Sequence, residues 1–377
     1  GPAQRPPSGG GYHPRATGAK VVFNKAGWND PGGKMYVEAP PRTTGPVPPG
    51  AFFSDADKYA GTSIDVADQI RGKINAATVQ AEPYNIRTRL GECVNMRTTN
   101  ATNLNNDPAL PLDIHDGQIS ATGAVTGTDA FHEATKMSEL STHVHMVRFD
   151  ELATDGTSVG WNYVQAPMVG QTWNYKWFAD VAVRTVYFHD HQNPNTHQQH
   201  GLWAAMNVEP NNSTFNNPST GALLVPPYCN SLGLPDATQA GSTVPACYGV
   251  GSVSDIRVED NPATPANEAL GSFREFTINY SDFVPMVDAA GKPINPPGAP
   301  DQYAADQGGM AINYRNEPFP IRVNSASTGA RKEPAYVFSS AVHGDPSTPT
   351  FRAYQKDPVT FRFMGGAHEA GQNFTLS

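Results

Sequence analysis

Thr142-His143-Val144-His145 and, further on, Tyr187-Phe188-His189-Asp190-His191 are two His-x-His pairs in one chain, the second followed by His200-Gly201-Leu202. In an extended strand residues i and i+2 share a face, so each pair aims two imidazoles into one space. The surroundings suit strands: Val144, Met146, Val147 and Phe149 around the first pair, and Val181, Val183, Val186, Tyr187 and Phe188 before the second. Neutral imidazole is a ligand for copper, zinc and iron, and a strand holds it more rigidly than a loop does. A lone histidine is ordinarily a structural residue. Two pairs at strand spacing are not explained that way, and they make His143, His145, His189 and His191 the candidate metal ligands.

Outward from these motifs the chain reads as all-β. Gly 35 and Pro 34 in 377 residues together stand well above the usual share of ~12%, which favours short strands and many turns over long helices. Strands are expected at 84–98, 142–149, 159–163, 171–178, 182–190 and 202–208, a pattern of short strands and turns that suits a Greek-key sandwich. Residues 1–20 are rich in Gly and Pro and read as a flexible arm, 21–210 as the first domain, and 211–271 as a linker or insertion. Residues 272–377 read as an incomplete second domain, opening on Phe273-Arg274-Glu275-Phe276-Thr277-Ile278. Further strands are expected over Met310–Val323, Pro334–Ser339 and Val359–Met364, and a helix over Ser54–Asn75, where Ile64, Ala67, Ile70 and Ile74 recur at helical spacing.

The net charge of −9, with no basic cluster, argues against nucleic acid as a partner and is compatible with a small cation. No apolar run approaches the ~20 residues of a membrane-spanning helix. Cys229 and Cys247 lie in one Pro/Gly/Ser-rich stretch where a bridge would indicate an oxidising compartment, whereas Cys93 sits in an alternating strand and reads as a buried thiol.

His143-Val144-His145-Met146-Val147-Arg148-Phe149-Asp150 and Val186-Tyr187-Phe188-His189-Asp190-His191, with His200-Gly201-Leu202-Trp203 through Glu209-Pro210, resemble the multicopper oxidases, nearest to the large bacterial manganese-oxidising kind. Pro83 to Val94 looks like the strand entering a cupredoxin domain, and Asp357 to Phe363 like the same strand of the next one. The resemblance runs over roughly 83–377 and is strongest from 142 to 210. It implies a cupredoxin-like Greek-key β-sandwich, one complete domain plus the start of a second, in an extracellular or periplasmic protein. It also implies a trinuclear copper cluster with His143 on the type 2 copper and His145, His189 and His191 on the type 3 pair. The glycine that often follows the first motif is replaced by Met146.

Half of the implied ligand set is absent from the sequence. None of Cys93, Cys229 and Cys247 is flanked by histidine, so a type 1 copper and the remaining His-Cys-His ligands are expected in the remainder of the same protein or in a companion chain. Gly371 to Ser377 reads as the inside of a strand, which fits the same expectation. His197 and His200, beyond the second motif, and Asp190 within it are candidates for holding the ligands from behind. Asp150, Glu151 and Asp155 read as a solvated loop. The function implied is oxidation of a substrate, manganese(II) or another metal ion or a phenolic, coupled to reduction of dioxygen to water. The other function class is a copper-storing or scaffolding module without catalysis.

Overall fold

The computed structural model describes residues 11–12, 14–38, 52–54, 81–102, 118–119, 125–126, 139–157, 165–168, 170–192, 194–210, 213–222, 224, 251–258, 271–284, 286–292, 294, 309–366 and 374. Strands dominate these residues, and the helices among them are short. None is long and apolar enough to cross a membrane.

Two sheets lie face to face. The first has the order β12, β13, β8, β2, β5, in which β2 is Pro14–Gly18, β5 Lys34–Glu38, β8 Cys93–Asn100, β12 Arg148–Phe149 and β13 Gln171–Phe178. β1 (Gly11–Tyr12) also pairs with β8, and β6 (Phe52–Ser54) with β13. The second sheet runs β11 (His143–Val144), β14 (Thr185–His189), β15 (Trp203–Glu209), β7 (Ile86–Arg89). The chain switches sheets between β7 and β8, β11 and β12, and β13 and β14, while β12–β13 and β14–β15 each stay within one sheet, so the two layers form a cupredoxin-like β-sandwich.

Period-two patterning builds the core between them. Val94, Met96, Trp173, Tyr175 and Trp177 from the first sheet meet Ile86, Val144, Val186, Phe188 and Met206 from the second in one buried cluster. The Trp177 and Phe188 rings, 5.8 Å apart, join the layers. Burying a side chain such as Phe188 is worth about 1.5–3 kcal/mol. Because Val144 and Phe188 point inward, the residues on either side of them, His143, Tyr187 and His189, are directed to the other face.

A third sheet is built on β18 (Phe273–Val284). β17 (Val253–Val258) and β19 (Gly309–Ile312) lie antiparallel to its two ends, β16 (Ser213–Asn216) extends from β17, and β20 (Val359–Gly365) runs parallel along the opposite edge. The pairs β3 (Val21–Val22) with β4 (Asn29–Asp30), and β9 (Gln118–Ile119) with β10 (Val125–Thr126), stand apart. The third sheet meets the second through buried charges. Arg87 pairs with Glu275 at 2.9 Å, and Arg362 bridges Glu275 at 3.1 Å and Glu209 at 2.8 Å. Asn207 donates to Glu275 at 2.8 Å. Burial raises the Glu275 pKa, but Arg87, a hydrogen bond with Glu209 and Arg362 outweigh it and hold the carboxyl at about 2.

Several expectations change. Residues 14–18, inside the stretch read as an arm, pair with β5 and β8, anchored by buried Ala16 and by Tyr12, whose hydroxyl bonds the Arg87 carbonyl. The stretch read as linker or insertion supplies β16 and β17, with Phe215 and Ile256 in the main core. The expected strand over 334–339 is a 3-10 turn at Pro334–Tyr336, and 310–323 holds β19 followed by a short helix, Phe319–Arg322, opened by Pro318 and Pro320. The expected single strand over 142–149 is interrupted between β11 and β12. The helix read from Ser54 lies outside the described residues apart from Ser54 itself, which ends β6. The strand at 159–163, Cys229 and Cys247 also lie outside them. Cys93 is a buried free thiol whose pKa burial pushes up.

Candidate metal centre

β11 lies antiparallel to β14 with His143 opposite His189 and Val144 opposite Phe188. The pairing continues one step, His145 N–H donating to the Tyr187 carbonyl at 2.9 Å. One ring nitrogen each from His143, His145 and His189 fall within 4.8 Å of one another. His145 Nε2 and His189 Nε2 are 2.9 Å apart, close to the spacing of two ligands on one ion held at about 2.0–2.1 Å from each. The His191 ring lies beside them, 5.1 Å from His143 and 5.3 Å from His189, exposed like His145 and outside the group of three.

The ligand nitrogens are oriented from behind. His143 Nδ1 lies 2.7 Å from the Asp155 carbonyl and 3.0 Å from its carboxylate, which leaves Nε2 directed away from them. Asp155 is buried and bonded by the Thr157 hydroxyl, so it is not the solvated loop residue its sequence context suggests. His189 Nδ1 lies 2.7 Å from the Asp190 carbonyl. Where β14 ends, the Asp190 side chain turns inward. It is fully buried, accepts the Ser141 N–H at 2.5 Å and meets His197 Nδ1 at 2.9 Å, while His191 N–H donates to Ser141 Oγ at 3.0 Å. These bonds hold the turn between the two histidines of the second pair.

His197, from the short helix Pro194–Gln199, is 1% exposed, and its Nε2 meets no hydrogen-bond partner among the described residues. His200 lies elsewhere, its Nδ1 2.7 Å from Asp30 of β4. Ser141, Tyr187 and Gln198, whose Nε2 lies 2.9 Å from His189 Nδ1, are contributors that sequence reasoning did not single out, and Asp155 is one it read as a solvated loop. For Tyr187 a signal existed, since it shares the strand face of His189. For Asp155 there was none, because a loop brings it back to His143.

Desolvation lowers the pKa of all three grouped imidazoles, and that of His189 falls to about 3. They are therefore neutral at pH 7, with lone pairs available to a cation, and the donor set of three imidazoles suits copper or zinc. The sign for stability follows. Between the folded value near 3 and the ordinary 6.5 the unfolded chain binds more protons than the folded one, so the metal-free protein loses stability as pH falls from about 7 toward 4. Urea unfolding at pH 7.5 and pH 5 is expected to show a loss on the order of 1–3 kcal/mol at the lower pH. Equal midpoints would contradict the burial of neutral imidazoles.

Two backbone positions shape this corner. Met146 holds φ +61 with its side chain 73% exposed, a left-handed conformation that suits glycine. Gly156 has φ +79, and a Cβ there would stand 2.5 Å from the Thr142 carbonyl oxygen and 3.0 Å from His143 N. Gly156→Ala therefore forces backbone against backbone under His143. We expect a loss of about 2–4 kcal/mol in urea unfolding, with weaker metal binding by the folded fraction.

No family model matches the chain, and no curated protein matches it. Among solved structures it is similar to a multicopper oxidase from Pseudomonas thermotolerans, at 15% identity and TM-score 0.26 over 54% of this chain and 30% of that one. It is similar also to the multicopper oxidase mgLAC, at 12% identity and TM-score 0.33 over 81% and 53%. A further multicopper oxidase aligns at 15% identity and TM-score 0.26 over 53% and 42%. The chain thus spans about half or less of the length of these structures. Likeness of this order leaves the site to be read from its own geometry.

Proposed function

We propose that this chain is the N-terminal part of a multicopper oxidase and supplies half of the ligands of a trinuclear copper cluster. The observation that carries the reading is the group formed by His143, His145 and His189, with the Nδ1 atoms of His143 and His189 backed by Asp155 and by the Asp190 carbonyl. His145 and His189 would share one ion, with His143 and His191 holding neighbouring positions. Copper bound there would relay four electrons, taken from the reductant, to dioxygen, which with four protons gives two waters. The chain's own part is to aim the four imidazoles, to keep those of His143, His145 and His189 neutral, and to shut water out on the core side with Val144 and Phe188. The type 1 copper, the His-Cys-His ligands and the reductant site belong to the remainder of the protein or to a companion chain. The reductant is manganese(II), another metal ion or a phenolic, and the setting is extracellular or periplasmic.

Copper titration with metal analysis tests this. We expect copper bound by this chain, lost in His145→Ala, and without the intense blue absorption of a Cys-ligated type 1 copper. The complete protein should consume dioxygen. Blue colour in a sample holding only this chain would overturn the division of ligands. Bound copper with no oxygen consumption by the complete protein would favour a storage module.

A further inference from the structure

Residues 312–315 end β19 in a two-residue turn: Ile312 N–H donates to the Arg315 carbonyl at 2.8 Å, and Arg315 N–H returns the bond at 3.0 Å. Both central residues are left-handed, Asn313 at φ +49 and Tyr314 at φ +59. Asparagine tolerates that conformation and glycine is the residue preferred after it; a tyrosine there is strained. The turn is fixed from β18. Asn313 N–H donates to the Asn279 carbonyl at 2.8 Å, its Oδ1 accepts the Asn279 N–H at 2.7 Å, and its Nδ2 donates to the Thr277 carbonyl at 3.1 Å. Such strain persists only where the surroundings over-determine it, and it gathers where a side chain has a task.

The Tyr314 side chain reaches the corner behind the second histidine pair. Its hydroxyl donates to the Gly201 carbonyl at 2.6 Å. The ring lies so close that a Cβ on Gly201 would stand 2.8 Å from Tyr314 Cε1. Burial raises the Tyr314 pKa, which keeps the phenol a donor at neutral pH. Gly201 follows the helix Pro194–Gln199, its N–H bonded to the Gln198 carbonyl at 2.9 Å, and Leu202 N–H donates to the His197 carbonyl at 2.9 Å. Two links run from there to the ligands. The Leu202 carbonyl accepts the Asp190 N–H at 3.1 Å, and Trp203 pairs with His189 across β14 and β15. The end of β20 closes on the same corner, where a Cβ at Gly366 would stand 2.5 Å from the Trp203 ring.

We propose that Tyr314 is a positioning residue for the metal centre: by clamping Gly201 it fixes residues 197–203 and, through them, Asp190 and His189, so that seating of the third sheet and binding of a metal ion favour each other. The coupling rests on the metal-site reading above.

The test compares the full chain with Tyr314→Phe, which keeps the ring and removes only the hydroxyl, at pH 7.5 with zinc(II) as the probe. In the metal-free proteins, amide hydrogen exchange should be several-fold faster in the variant at Leu202 and Asp190 and unchanged in β8 and β13 of the first sheet. Zinc affinity, from competition with a chromophoric chelator, should fall roughly 2- to 30-fold, the range for residues that act on a site through a network. In the wild type, zinc should slow exchange at the Ile312 and Arg315 amides, because coupling between two sites is reciprocal, and that measurement needs no variant to fold. A folded variant with unchanged exchange at Leu202 and Asp190, or with the zinc affinity of the wild type, would overturn the proposal. So would exchange that rises equally in every strand, or zinc that leaves Ile312 and Arg315 unchanged. Wild type that binds no zinc at its histidines would sink the metal reading and the coupling with it, and the metal-free comparison alone then decides whether Tyr314 holds the turn.

Discussion

His189→Ala is expected to leave the chain folded and to lower its copper affinity more than ~100-fold, beyond the 10–100-fold that loss of a residue behind the ligands costs. His189 is the hub of the group. Its ring lies 5.6 Å from that of His143, 5.0 Å from that of His145 and 5.3 Å from that of His191. Without it the 2.9 Å pair of nitrogens is lost. The fold survives because the side chain projects from the face of β14 opposite Val186 and Phe188, which carry the core. Copper retained per chain after dialysis, with far-ultraviolet circular dichroism as the check on folding, measures both. The variant should also flatten the dependence of metal-free stability on pH, since the group with the most depressed pKa is gone. Full copper content in a folded variant would remove His189 from the site.

Arg362→Met should cost about 3–5 kcal/mol, the penalty for removing one partner from a buried ionic network. Arg362 is almost wholly buried and donates to both oxygens of Glu209 and to Glu275. Its loss leaves two buried carboxyl groups against Arg87 alone. Urea unfolding reads the loss directly, and adding Glu209→Gln should recover part of it by removing one of the stranded acids. A loss below about 1 kcal/mol would mean that these groups are solvated.

The sandwich was legible because its signal is local. Alternation in Trp173, Tyr175 and Trp177, and in Val186 and Phe188, marks strands and their inner faces within a few residues. The strand over 171–178 has the bounds its pattern predicts. Pro14–Gly18 was opaque for the opposite reason. Its composition resembles a tail, and only pairing with strands far along the chain makes it one. The four histidines could be picked out by spacing. The meeting of three of their nitrogens, the inward turn of Asp190 and the return of Asp155 depend on register and loop path, which no short window of sequence contains. The charges at 87, 209, 275 and 362 lie on four strands far apart in sequence, and only the packing of the third sheet on the second brings them together.

The parallel run of β20 along β18 pairs Arg274 with Val359 and Tyr280 with Gly365, partners separated by a long excursion of chain that includes β19. Strands of a hairpin such as β14 and β15 find each other quickly, whereas β20 must wait for a large loop to close. During that wait the second edge of β18 is open and the acids at 209 and 275 are still wet. Side chains alternate along β20, so a slip of one residue would present Phe361 or Phe363 to those acids in place of Arg362. The arginine thus serves as a proofreading mark, accepting one alignment of the late strand and penalising its neighbours.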